Sequence, residues 1–151
     1  MPVERLKEYL DNENVRYVSL KHSQAYTAQE VAATAHVSGK ELAKTVMVKI
    51  DGEMTMVVLP ASSQVDLRRL QEAVGSRDVE LAAEQEFEDD FPDCELGAMP
   101  PFGNLYGMKV FVSPALRQEE EIAFNAGSHS ELIRLTYKDF DRLVHPTPIA
   151  L

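Results

Sequence analysis

The stretch from Leu42 to residue 59 constrains the fold more than any other part of the chain. Leu42–Ile50 and residues 54–59 are both rich in aliphatic and methionine side chains, and Asp51-Gly52 lies between them. An Asp-Gly pair tolerates the positive φ angles of a two-residue turn, so the segment predicts a tight antiparallel hairpin. Pro60 ends its second strand because proline offers no N–H to a ladder. An isolated hairpin is marginally stable in water, so other elements must cover it.

Those elements are legible on either side. Val3, Leu6 and Leu10 predict an amphipathic helix over 3–10, closed by Asp11-Asn12-Glu13-Asn14. A strand is expected over 15–20. A helix then starts from Thr27 with Glu30 completing a capping box, and Ser38-Gly39 closes it. Asp66 opens another helix carrying Leu67, Leu70 and Val74, with Gly75 as terminator. A short strand over 79–81 precedes an acidic helix over 84–91, ended by Pro92. A strand over 109–113 is broken by Pro114. Strands over 121–125 and 132–135 flank Ala126-Gly127-Ser128-His129-Ser130. Residues 137–143 predict a last helix, and His145-Pro146-Thr147-Pro148 a tail. Strands joined by both tight turns and helices imply an α/β fold: one domain over 1–151, with a mixed, largely antiparallel sheet surrounded by helices.

Charge narrows the partners. The net charge of −10 argues against broad non-specific nucleic-acid binding and against a DNA partner, which need clustered Lys and Arg. It leaves room for contact with a short nucleic-acid end through a local rim, for which Arg16, Lys21, Lys40, Lys49 and Lys109 are candidates. The acidic blocks at 84–93 and 119–121 read as solvated faces. Cys94 is the single cysteine, so no internal disulfide forms. The first residues, Met1-Pro2-Val3-Glu4-Arg5-Leu6, lack a basic region followed by an apolar core, and no apolar run approaches the roughly 20 residues that span a bilayer. A cytoplasmic protein with no membrane partner is expected. His22, His36, His129 and His145 are scattered and no CxxC or HxxxH spacing occurs, so no metal is expected; without a Walker loop or GxGxxG, neither is a nucleotide cofactor.

Three features carry candidate chemistry. Lys44 interrupts Leu42-Ala43-Lys44-Thr45-Val46-Met47-Val48. Side chains two apart on a strand share a face, so Lys44 lies with Leu42, Val46 and Val48. If that face is inward, the ammonium needs an acceptor or a cavity; otherwise it is an edge lysine reaching to water. Gly97-Ala98-Met99-Pro100-Pro101-Phe102-Gly103 is either a plain connection or a rigid surface with N–H groups to offer a developing oxyanion. The turn at 126–130 holds a glycine, two hydroxyls and an imidazole. Neighbouring side chains point apart, which disfavours Ser128 and His129 as a nucleophile–base couple.

Together these segments resemble the YbaK/ProX family, free-standing relatives of the editing domain inserted in bacterial prolyl-tRNA synthetases. The resemblance rests on Leu42-Ala43-Lys44-Thr45-Val46, on the Gly97 to Gly103 segment and on Glu121-Ile122-Ala123-Phe124-Asn125-Ala126-Gly127-Ser128. It also rests on His22-Ser23-Gln24-Ala25-Tyr26-Thr27-Ala28-Gln29-Glu30-Val31-Ala32. It implies hydrolysis of wrongly charged aminoacyl-tRNA in trans, without a cofactor. Lys44 and Gly97 would form the catalytic site. Ala98, Met99, Pro101, Phe102, Gly127, Ser128, His129, Tyr26 and His22 would bind substrate. The implied partners are the acceptor end of an aminoacyl-tRNA and an aminoacyl-tRNA synthetase. On this reading, backbone N–H groups of Gly97 and Ala98 meet the oxyanion, and Met99, Pro101 and Phe102 roof a pocket for small side chains. The alternative is a non-catalytic module that holds a small amino acid, a nucleotide or a synthetase in the same pocket.

Overall fold

A computed structural model describes residues 2–21 and 38–149 of the chain. The expected helix from Thr27, with His22 and Tyr26 before it, lies outside the described residues. Helix α1 (Pro2–Asn12) buries Leu6 and Leu10 one turn apart. Strand β1 (Val18–Lys21) starts three residues later than its alternation predicts. The hairpin forms as expected: β2 (Leu42–Ile50) and β3 (Glu53–Pro60) pair antiparallel around Asp51 and Gly52, at φ +52° and +80°. Helix α2 (Leu67–Val74) is capped by Asp66, whose side chain accepts from the Arg68 and Arg69 amides, and ends at left-handed Gly75. Strand β4 (Val79–Leu81) follows, then α3 (Glu84–Phe87) with a 3-10 turn at Glu88–Asp90. A second 3-10 turn, Gly103–Leu105, leads to β5 (Val110–Val112). Next come α4 (Pro114–Arg117), β6 (Glu121–Asn125), β7 (Glu131–Thr136), α5 (Tyr137–Val144) and β8 (Thr147–Pro148).

Among the described residues the strands form one eight-stranded sheet in the order β1-β7-β6-β2-β3-β5-β8, with β4 beside β2. Pairing is antiparallel in β1–β7, β6–β7, β2–β3 and β2–β4, and parallel in β2–β6, β3–β5 and β5–β8. The mixed sheet is therefore as expected. Two local readings are corrected. Pro114 does more than end β5: it is the first residue of α4, where a missing N–H costs nothing, and Ser113 caps the turn. The segment 145–148 is not a loose tail, since Thr147 and Pro148 pair with Phe111 and Val112. Proline is tolerated there because an edge strand needs partners on one side only.

Both faces of the sheet are covered, and the two covers differ. Ala43, Met47, Met56, Val58, Val112, Phe124 and Ile133 point into the main core, against Leu6 and Leu10 of α1 and Phe140 of α5. Val48, Val57 and Leu59 point the other way, against Leu70 of α2. Lys44 pairs with Leu59 and shares this second face. The face that holds Lys44 is thus inward, but it is not the face of the main core.

Candidate active site

Lys44 sits at the start of the longest strand, half-buried, opposite fully buried Leu59. No carboxylate among the described residues lies within ion-pairing distance of its ammonium. Partial burial holds its pKa below the usual lysine value, because desolvation disfavours the charged form. Lys49, five residues on, is different. Glu80 lies 3.0 Å from its Nζ and Glu86 closer still; the hydrogen bonds it donates, to Glu86 first and then to Glu80, raise its pKa. Lys49 is thereby withdrawn from the expected basic rim. Lys44 makes no such pair among the described residues.

The glycine–proline loop reaches the same end of the sheet through the turn after β6. Parallel pairing aligns Leu42 with Ala123 and Ala43 with Phe124, so the end of β6 runs beside Lys44. Gly127 follows, with φ +94°. Its N–H donates to the Ala98 carbonyl at 2.9 Å, and its carbonyl accepts from the Glu95 amide at 2.8 Å. Two main-chain bonds thus stitch residues 95–98 to the turn. His129 adds a third link. Its Nε2 lies 2.7 Å from the Leu96 carbonyl; with a carbonyl as acceptor, that nitrogen carries the proton. The His129 amide donates to Glu95 Oε2 at 3.4 Å.

This stitching fixes Gly97. The residue is exposed, at φ +83°, a left-handed conformation that suits glycine. A Cβ there would stand 3.4 Å from His129 Cε1, so the imidazole forms the floor beneath it. The Gly97 N–H makes no hydrogen bond among the described residues. Ala98 is a correction: its N–H donates to the Glu95 carbonyl at 3.1 Å and the residue is fully buried. That amide is already spent holding the turn, which leaves the Gly97 N–H as the one of the two without a hydrogen bond among the described residues.

The expected pocket roof is corrected as well. Phe102 is fully buried, with ring centroids 5.4 Å from Phe124, 5.7 Å from Phe140 and 6.2 Å from Tyr9. Met99 belongs to the same core. Phe124 lies on the sheet face opposite Lys44, so Phe102 and Met99 anchor the loop from behind rather than facing a ligand beside Lys44. Pro101 is buried too. The second glycine of the motif, Gly103, is also a packing residue: a Cβ there would meet Val110 Cγ2 at 2.5 Å and the Met108 carbonyl at 2.8 Å. We expect Phe102→Leu to lower unfolding stability by roughly 1–3 kcal/mol while leaving the order of preference among small amino-acid esters unchanged. Urea unfolding and a substrate panel check the two halves; a changed preference would restore Phe102 to the pocket.

Ser128 and His129 do not form a couple. Ser128 Oγ lies 2.9 Å from Ser130 Oγ, while the imidazole is held by Leu96. Cys94, just before the loop, has its Sγ 3.4 Å from Tyr106 Oη, and burial pushes its thiol up to about 11. Burial thus disfavours its thiolate, which argues against a nucleophilic role. Tyr106 Oη also donates to Asp93 at 3.2 Å, and the Arg5 guanidinium stacks 4.9 Å over its ring, which anchors the segment entering the loop. Asn125, absent from the sequence-based set, ends β6 between Lys44 and Gly127. Its signal was its place two residues beyond Ala123, on the same face as Leu42 and Lys44.

Among the described residues, a lysine with no ion pair and an amide with no hydrogen bond thus lie toward one end of the sheet. Residues 22–143 match the model of the aminoacyl-tRNA editing domain. The chain belongs to the aminoacyl-tRNA editing domain family. A relative from Escherichia coli strain K12, named multifunctional Ser/Thr-tRNA deacylase ProXp-y, is 28% identical over 148 residues, covering 95% of this chain and 88% of its own. A proline–tRNA ligase of Corynebacterium diphtheriae is 28% identical over 122 residues, 75% of this chain but 21% of the ligase. Among solved structures, one described as a candidate trans-editing enzyme for prolyl tRNA synthetase superposes with a TM-score of 0.84 at 19% identity, covering 99% of this chain and 96% of that one. The editing-domain fold is thus shared well beyond the reach of sequence identity. Among the described residues of this editing domain, no helix is long and apolar enough to cross a membrane.

Proposed function

We propose that this editing domain hydrolyses the ester between a wrongly attached small amino acid and the terminal ribose of tRNA, acting in trans. The observation that carries the reading is the half-buried Lys44 ammonium, without a carboxylate partner among the described residues, on the strand beside the turn that holds Gly97. Family membership supports the substrate class. The E. coli relative is named for Ser/Thr-tRNA, and the matched part of the C. diphtheriae ligase supports a synthetase as working partner.

The chemistry asks little of protein bases. An ester is activated already, so water attacks its carbonyl carbon and the ribose oxygen leaves. The products are a free amino acid and a ribose hydroxyl. The Gly97 N–H donates to the oxygen that gains charge in the tetrahedral intermediate. Lys44 holds the terminal phosphate or the ester oxygen by charge. Water is positioned by main chain and by the substrate's own ribose hydroxyl. With net charge −10, the domain binds tRNA weakly and in a salt-sensitive way, at the acceptor end. A cytoplasmic location fits this role.

The test is deacylation over a panel of mischarged tRNAs. Turnover of one or more small aminoacyl esters is expected. Saturable binding of the acceptor end with no turnover of any member would replace the hydrolase with a binding module.

A further inference from the structure

The row of side chains through Lys44 crosses the sheet as Leu59, Lys44, Asn125, Leu132 and Leu20. Lys44 pairs with Leu59, Asn125 with Leu132, and Leu132 with Leu20. The β2–β6 register carries Lys44 beside Asn125 one step past the last paired residues. Three of these five are leucines; the two polar members are neighbours. Leu59 and Leu132 are fully buried, whereas Leu20 and Lys44 are half-buried. Asn125 is half-buried, yet its Oδ1 is enclosed and accepts no hydrogen bond among the described residues. Buried acceptors are nearly always satisfied, and one left open among the described residues beside a candidate site suits a donor that a ligand brings.

We infer that Asn125 sets specificity at this site, its carboxamide oxygen accepting a hydrogen bond from a neutral hydroxyl of the aminoacyl end. The identity of that ligand rests on the deacylase reading above. Charge selects the donor. Lys44 shares the face and no carboxylate among the described residues lies within ion-pairing distance to offset it, so a substrate ammonium is repelled at this point while a hydroxyl is not. Two hydroxyls on such a ligand have the same chemistry: that of a serine or threonine side chain, and the free ribose hydroxyl next to the ester. Position favours contact with either, because Asn125 is two residues before Gly127, which holds the loop of Gly97. A site with an acceptor for a hydroxyl discriminates against ligands that leave it unpaired.

Hydrolysis-proof amide analogues, 3′-seryl-amido- and 3′-alanyl-amido-adenosine, test this by titration calorimetry against the parent and Asn125→Leu. If the side-chain hydroxyl is the donor, the parent binds the seryl analogue about tenfold tighter and the variant loses that preference. If the ribose hydroxyl is the donor, the variant loses about tenfold for both analogues, and the loss vanishes when that hydroxyl is deleted. Equal affinities of parent and variant for both analogues overturn the inference, as does a parent that binds neither. Asn125→Leu is expected to unfold at or above the parent's temperature, since it removes an unsatisfied acceptor; should it fail to fold, Asn125→Ser is titrated instead against the same outcomes. A parent that discriminates in this way but turns over no mischarged tRNA refutes the deacylase reading and leaves Asn125 in its role.

Discussion

Lys44→Met is expected to lower deacylation by about 10²–10³-fold, the usual consequence of removing one preorganised electrostatic contact, with no loss of stability. Methionine keeps most of the aliphatic stem and fits the apolar row of Leu59. Stability should hold or rise, because the half-buried ammonium is desolvated and has no compensating carboxylate among the described residues. The sign follows from linkage. The folded-state pKa is depressed, so at neutral pH both folded and unfolded chains are protonated and the desolvation penalty is fully present. As pH rises past the folded pKa toward the unfolded lysine value, the folded chain releases its proton first and stability increases. Chemical unfolding of parent and variant across alkaline pH reads this directly: the gap between them should close. A variant with parental turnover would remove Lys44 from the mechanism, and one that unfolds much earlier would make the lysine a structural residue.

Gly97→Val is expected to be nearly as damaging to turnover, by roughly 10²-fold or more through loss of the positioned amide. Its stability should fall as well, by about 1–3 kcal/mol, the cost of a non-glycine residue at such a φ. Both losses come from one place. A β-branched side chain resists φ +83°, and its Cβ starts 3.4 Å above the His129 ring, before the branching methyls are counted. To relieve the contact, either the imidazole leaves the Leu96 carbonyl or the loop lifts from the turn. Gly97→Ala is the graded control, with the same strain and a smaller intrusion. Steady-state turnover and urea unfolding of the pair separate strain from blockade. Valine turning over ester at the parental rate would show that the loop plays no part.

Much of this arrangement could be read from local pattern. Period-two spacing put Lys44 on the face of Leu42, Val46 and Val48, and Asp51-Gly52 announced the hairpin that carries it. Cap chemistry located α2 between Asp66 and Gly75. What escaped were facts that only long-range packing decides. Phe102 follows two prolines and looks like a loop residue, yet its partners are Tyr9, Phe124 and Phe140, far away in sequence. The second strand of the pair β5–β8 holds a proline, which hid an edge strand whose only requirement is a one-sided ladder. The Ala98 amide looked as available as that of Gly97 until Glu95 claimed it. Asn125 read as ordinary strand because an unsatisfied oxygen is a property of surroundings, not of spacing.

The loop and the turn after β6 are joined by two bonds between peptide groups, Gly127 to Ala98 and Glu95 to Gly127, and by the His129 imidazole on the Leu96 carbonyl. None of these three bonds uses the side chain of Leu96 or of Ser128. Replacing either side chain therefore leaves the hold of the turn on the loop in place, and with it the position of the Gly97 amide.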